Sequence, residues 1–164
     1  MRSHRFAGVA LVGLGLLLAG CGMKASKEAA ETTATKLYQA WSNKDWDAVL
    51  GLYSPQFYQE TKKEQWRSII LGLHEKLGDY KSHQLKDWNY KTFYGTGGNT
   101  QTTVLIYEVR YTHGQATETL TFMGNGTEKV LKIAGHHITS PALLPTVSDK
   151  SSSAGAAQKG KNKP

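Results

Sequence analysis

With only one cysteine among 164 residues, the chain can close no internal disulfide and build no thiolate metal site. Its six histidines include no H-x-x-x-H or H-E-x-x-H spacing, so no metal is expected. His136 and His137 are adjacent on a predicted strand; their side chains should point to opposite faces and not chelate one ion. No apolar run reaches the roughly 20 residues that span a bilayer, and no arginine pair marks the twin-arginine export route. Positive charge is missing where a nucleic acid would need it. The formal net charge is +7, yet Lys27 to Pro145 holds 13 basic and 12 acidic residues. The excess sits at Arg2, Arg5 and Lys24, and at Lys150, Lys159, Lys161 and Lys163. With no basic face in the middle of the chain, a nucleic-acid partner is not expected.

What is present begins at the amino terminus. Arg2 and Arg5 precede an apolar stretch from Phe6 to Leu18, followed by Leu18-Ala19-Gly20-Cys21. That length suits a signal-peptide core and is too short for a membrane span. The small residues before the lone Cys21 resemble a bacterial lipoprotein signal. The resemblance implies alkylation of the Cys21 sulfur by a diacylglyceryl group, cleavage after Gly20, and acylation of the new amino terminus. Two or more acyl chains hold a protein stably on a bilayer, each buried methylene contributing about 0.8 kcal/mol. The plainer readings are a secreted protein cut at a small-residue site near Ala19, or an uncleaved anchor. A single cysteine at this position, with none elsewhere to pair with, disfavours both. The expected address is the bacterial envelope, lipid-anchored and facing the periplasm. Gly22 rather than an aspartate after the cysteine favours the outer membrane under enteric-type sorting.

Residues 1–20 are thus expected as the signal peptide and 21–26 as a lipidated tether. Ala30, Ala34, Leu37, Tyr38 and Trp41 recur at helical spacing and predict an amphipathic helix ending near Ser42-Asn43. Asp45 is placed to cap a second, shorter helix carrying Trp46, Val49, Leu50 and Tyr53, which Pro55 breaks. Thr61 and Glu64 read as a capping box for a third helix. Its stripe is Trp66, Ile69, Ile70, Leu73 and Leu77, and Gly78 stops it. From Lys81 the hydrophobic period changes to two. His83 to Phe93, Thr102 to Tyr111, Ala116 to Met123 and Lys129 to Thr139 read as strands. Residues 95–99 read as a flexible loop and Asn125-Gly126 as a two-residue hairpin turn. Residues 141–164, rich in Ser, Ala, Gly and Lys, are expected to stay disordered. The tail lysines read as a solvated linker end before a lipid-binding patch.

Helices followed by a meander give an α+β class: three N-terminal helices packed on a curved antiparallel sheet of about four strands. This order resembles the nuclear-transport-factor-2-like (cystatin-like, ketosteroid-isomerase-like) superfamily, and within it small bacterial envelope domains of unknown function. Three stretches carry the resemblance: residues 41–48 around the turn between the first two helices, Lys63-Glu64-Gln65-Trp66 with Leu77-Gly78, and Val130 to His136. At the last of these, relatives more often have a tyrosine or phenylalanine where this chain has His136. The resemblance covers residues 27–140 and implies a cone with a cavity between helices and sheet. It implies no activity.

Within this fold, ketosteroid isomerases use a carboxylate base and a hydrogen-bonding oxyanion site. Strand alternation puts Glu118 on the face of Leu120 and Phe122, His137 with Leu131 and Ile133, and Tyr107 with Leu105 and Val109. Glu118, His137 and Tyr107 are therefore the weak candidates for base, partner and donor at a cavity mouth. The plainer reading leaves Glu118 at a solvated rim, His137 capping its strand and Tyr107 as a core aromatic. Trp41, Tyr53, Leu105 and Phe122 are candidates to line an apolar ligand pocket, although aromatics at helical spacing are more often simply core. No cofactor is implied. The leading expectation is a non-enzymatic module that binds a small apolar ligand or an envelope protein. The alternatives are an isomerase- or hydrolase-like enzyme using a cavity carboxylate, and an assembly role through a sheet-mediated homodimer.

Overall fold

Helix α1 runs without a break from Gly15 to Ser42, with an apolar face and a charged face over residues 24–41. Ala30, Ala34, Leu37, Tyr38 and Trp41 are buried, while Lys27 pairs with Glu31 at 2.6 Å and Lys24 with Glu28 at 3.9 Å one turn apart. The computed structural model describes residues 15–96, 98–125 and 130–144. Residues 22–26, expected as a tether, are helical. The leader up to residue 14, the side chain of Cys21 and the tail from residue 145 lie outside the described residues. Among those described, no helix is long and apolar enough to cross a membrane.

Four α-helices precede the sheet rather than three. Asp45 caps α2 (Trp46–Gly51) as expected, accepting from the Ala48 N–H at 3.0 Å. Helix α2 already ends at Gly51, so Tyr53, expected on it, lies beyond it in a bridge to Ile133, and Pro55 instead starts another helix, α3 (Pro55–Glu60), with Ser54 as its cap. Proline suits this first helical position because its missing N–H would have no partner there. The extra helix displaces the capping box. Thr61 closes α3 through its N–H to the Phe57 carbonyl, and α4 (Lys63–Leu77) begins after Lys62 with no side-chain cap. On α4, Trp66, Ile70 and Leu77 are buried, whereas Ile69 is exposed. Gly78 stops the helix at φ +79, where a Cβ would overlap Thr112 Oγ1.

The strands β1 (Tyr80–Gly95), β2 (Gly98–Tyr111), β3 (Gly114–Gly124) and β4 (Lys132–Thr139) form one antiparallel sheet in sequence order. Residues 95–99, expected as a flexible loop, close a tight hairpin in which Gly95 pairs with Gly98. The turn expected at Asn125-Gly126 lies partly outside the described residues. On its far side β4 begins at Lys132, which pairs with Met123, rather than at Lys129 as expected. Just before β4, Leu131 is buried in the core, where its carbonyl accepts from Thr33 Oγ1 of α1 at 2.7 Å. The corner between α2 and α3 is tied to β4 by Ser54 N to Ile133 O at 2.9 Å and Ile133 N to Leu52 O at 3.0 Å. After β4, a short 3-10 helix spans Pro141–Leu143. Thr103, Leu105, Tyr107, Val109 and Tyr111 of β2 alternate into the core with Ala116, Glu118, Leu120 and Phe122 of β3. Among these apolar side chains stands one carboxylate.

Candidate functional site

Glu118 is carried inward by strand alternation between Ala116 and Leu120, and its side chain is 1% exposed. An ionised carboxylate only accepts, so burial requires donors around it. Tyr111 Oη donates to Oε1 at 2.5 Å, and Tyr38 Oη of α1 donates to Oε2 at 3.2 Å. His136 Nε2 lies 3.1 Å from Oε2, and its side chain is likewise 1% exposed. With Nε2–H donating to the carboxylate, Nδ1 of His136 is left to accept from Tyr53 Oη, which lies 2.7 Å away. The result is a closed chain, Tyr53 to His136 to Glu118, with Tyr38 and Tyr111 completing the carboxylate's shell. Burial raises the Tyr38 and Tyr111 phenols above their ordinary 10.0, and the Glu118 charge adds to both. Burial likewise raises Tyr53. All three thus remain protonated donors.

Outside this chain lies an open groove of about 340 Å³ between α1 and β1, lined by Thr35, Tyr38, Gln39, Ser42, Tyr80 and His83 among others. Tyr38 belongs to both, donating to Glu118 on one side and lining the groove on the other. Its ring stacks on His83 with centroids 4.2 Å apart at 23°, and on Tyr80 at 5.5 Å and 16°. Tyr80 Oη and His83 Nδ1 are 2.7 Å apart. Desolvation lowers the His83 pKa, against an upward pull from Glu118, which favours a neutral imidazole. Two buried indoles, Trp41 and Trp66, have no hydrogen-bond partner for Nε1 among the described residues. No group of three or more His, Cys, Asp or Glu side chains is gathered there into a metal site.

Of the three residues expected at a cavity mouth, Glu118 stands at the centre of the network and the other two stand outside it. Tyr107 is the register partner of Glu118 across β2 and β3, but its ring packs edge-on to Tyr38 and His83. Burial pushes its phenol up to about 12, and the Glu31 charge adds to the rise. His137 is exposed and lies 3.1 Å from Thr139 Oγ1 through Nε2. His136 takes the inward place because of a β-bulge. Phe122 pairs with Ile133 and Thr121 with Gly135, leaving Ala134 as the extra residue that shifts the phase of β4. Simple alternation from Ile133 predicts His137 inside. Trp41, Tyr53, Leu105 and Phe122 are all buried in the core. Of these four, Tyr53 alone bonds to the network, and none lines the groove. Tyr111 was within reach of the sequence pattern, since it continues the Leu105, Tyr107, Val109 alternation.

No protein-family model matches the chain, and no curated protein sequence does. Among solved structures it is similar to the helical cell shape determining protein Pgp2 from Campylobacter jejuni, at 17% identity and a TM-score of 0.44. That match covers 64% of this chain and 38% of the Pgp2 chain. The chain thus aligns to well under half the length of that protein.

Proposed function

We propose that this chain is a lipid-anchored bacterial envelope protein whose domain, residues 27–140, is a cone of the nuclear-transport-factor-2-like kind acting as a non-enzymatic binding module. One observation carries the reading: Tyr38 is shared between the sealed Glu118 network and the open groove. A carboxylate whose two oxygens already take three donors is suited to fixing Tyr38, and through it the stack with His83 and Tyr80. A recognition surface held rigid in advance loses less freedom when a ligand arrives. The groove offers an aromatic floor, with Thr35, Gln39, Ser42 and Asn43 along it as uncharged hydrogen-bonding groups. This chemistry suits a compact neutral ligand, or a partner side chain, with an apolar face and a polar edge.

An isomerase- or hydrolase-like enzyme is the second reading, favoured by the Tyr53–His136–Glu118 chain of phenol, imidazole and carboxylate. Such a chain is arranged to move a proton. Against it stands burial, since a substrate would have to part the core to reach Glu118.

Ser42 is exposed at the end of α1 and lines the groove, so Ser42→Trp fills the groove without touching the core. The test is mass spectrometry of small molecules and peptides that co-purify with the detergent-extracted lipoprotein. A species retained by the natural chain and lost from Ser42→Trp is the expected result. Equal retention by both would overturn the groove as the binding site.

A further inference from the structure

The β1–β2 hairpin ends in two exposed aromatic residues, Phe93 at 62% and Tyr94 at 79%, with the Gly95–Gly98 pair closing the tip. Adjacent residues of a strand face opposite sides, so the tip presents an aromatic ring on each face. It therefore has the form of a wedge rather than a one-sided docking face. We propose that this tip is a second membrane contact, inserting at the headgroup level of the bilayer that holds the acylated Cys21.

The course of α1 along the hairpin leads to this assignment. Tyr38 stacks on His83, Lys27 Nζ lies 5.6 Å from the Trp88 ring centroid, and Ser26 Oγ meets Thr103 Oγ1 at 2.8 Å. Thr103 is the register partner of Tyr90. Going back along α1 from Tyr38 to Ser26 therefore means going forward along β1 from His83 to Tyr90, toward the tip. From Ser26 to Cys21 the helix rises about 7–8 Å further. From Tyr90 to Phe93 and Tyr94 the strand advances about 10–13 Å. The helical backbone at Cys21 and the two aromatic residues thus come to nearly the same level at the same end of the domain.

The chemistry of that end matches a lipid surface. Tyrosine is at home where one end of the ring is apolar and the other wet, and is enriched at bilayer interfaces, while phenylalanine adds a wholly apolar ring that can enter the acyl boundary. Lys91 is exposed on β1 three residues before Tyr94, and exposed Lys24 sits on α1 three residues after Cys21; basic side chains near a membrane are drawn to anionic headgroups. A wedge of this kind would fix the tilt of the domain on its membrane and leave the groove beside Tyr38 at the opposite end of α1, away from the lipid.

The inference rests on lipid attachment at Cys21, so the experiment reads attachment and insertion separately. The mature lipoprotein is reconstituted in vesicles of phosphatidylethanolamine with a minority of phosphatidylglycerol, some carrying bromine near the headgroup end of the acyl chain. Fluorescence quenching of Phe93→Trp is compared with that of Leu71→Trp, placed at an exposed position on α4, each measured against the parent chain. Fatty-acid labelling of the same preparations reports attachment at Cys21. The expected result is label in both proteins, with several-fold more bromine quenching at position 93 than at position 71. Absence of label would overturn the anchor. Label present with equal quenching at the two positions would overturn the wedge and leave the anchor standing.

Discussion

Glu118 and His136 meet at 3.1 Å, each with its side chain 1% exposed, on strands that the pleat would otherwise hold out of phase. The pair faces the helices because β4 carries one extra residue at Ala134. The inward side of β4 would otherwise fall at residues 133, 135 and 137. This contact draws Tyr53 from the corner after α2 into the same network as Tyr38 from α1 and Tyr111 from β2. Four segments, α1, the corner after α2, β2 and β4, thereby converge on one carboxylate of β3.

Glu118→Gln tests that convergence. An amide presents two N–H donors where the site already holds donors, so at least one buried group loses its partner. The expected cost is about 1–3 kcal/mol of stability, measured as a lower urea midpoint. An unchanged midpoint would mean that Glu118 is not the acceptor holding the phenols.

Trp66 and Ile69 set the face of α4. Trp66 is 7% exposed against Tyr53, Phe57 and His136, and Ile69 is 40% exposed. Trp66→Ala should destabilise by about 3–5 kcal/mol, the range for a large aromatic removed from a core. Ile69→Ala should stay within about 0.5 kcal/mol, as surface changes do. Equal shifts in melting temperature would place the buried stripe elsewhere.

Stability should decline on both sides of neutrality. Burial lowers the His83 imidazole below its ordinary 6.5, so the unfolded chain takes up a proton that the native state resists. That contribution is full above pH 6.5 and is lost as the pH falls through the depressed native value. Asp79 acts further down: a hydrogen bond from Lys44 holds it below 3.8, and its contribution is lost as the pH falls through that lowered value. On the alkaline side, Tyr38, Tyr53 and Tyr111 are raised above 10.0, chiefly by burial. Their contribution is full below pH 10 and lost as the pH climbs through the raised values. Urea midpoints across the pH range report these slopes. His83→Gln should flatten the decline that begins below pH 6.5, and an unaltered slope would remove His83 as its cause.

Cys21→Ala should block attachment of lipid and leave unprocessed precursor, because the thiol sulfur is the atom alkylated. Metabolic labelling with a fatty acid reads the outcome directly. Label persisting in the variant would place the lipid elsewhere or remove it from the account.

Local chemistry decided much of this protein, and the sequence by itself determined those parts. The apolar spacing of Ala30 to Trp41, the Asp45 cap, the stop at Gly78 and the alternation of Leu105, Tyr107 and Val109 each depend on neighbours within a few residues. The α+β order of helices and then a four-stranded antiparallel sheet followed from them. Other features were not legible because they depend on distant partners. Ser54 and Pro55 became the start of a separate helix where Ser54 and Leu52 bond to Ile133 of β4, and that helix took Thr61 away from its expected capping box. His136 replaced His137 because register against β3 forces a bulge at Ala134, and a bulge leaves no mark in a period of two. Glu118 was visible as an inward residue. Its burial became tolerable through donors from positions 38, 111 and 136, which only the tertiary fold brings within hydrogen-bonding distance of one carboxylate.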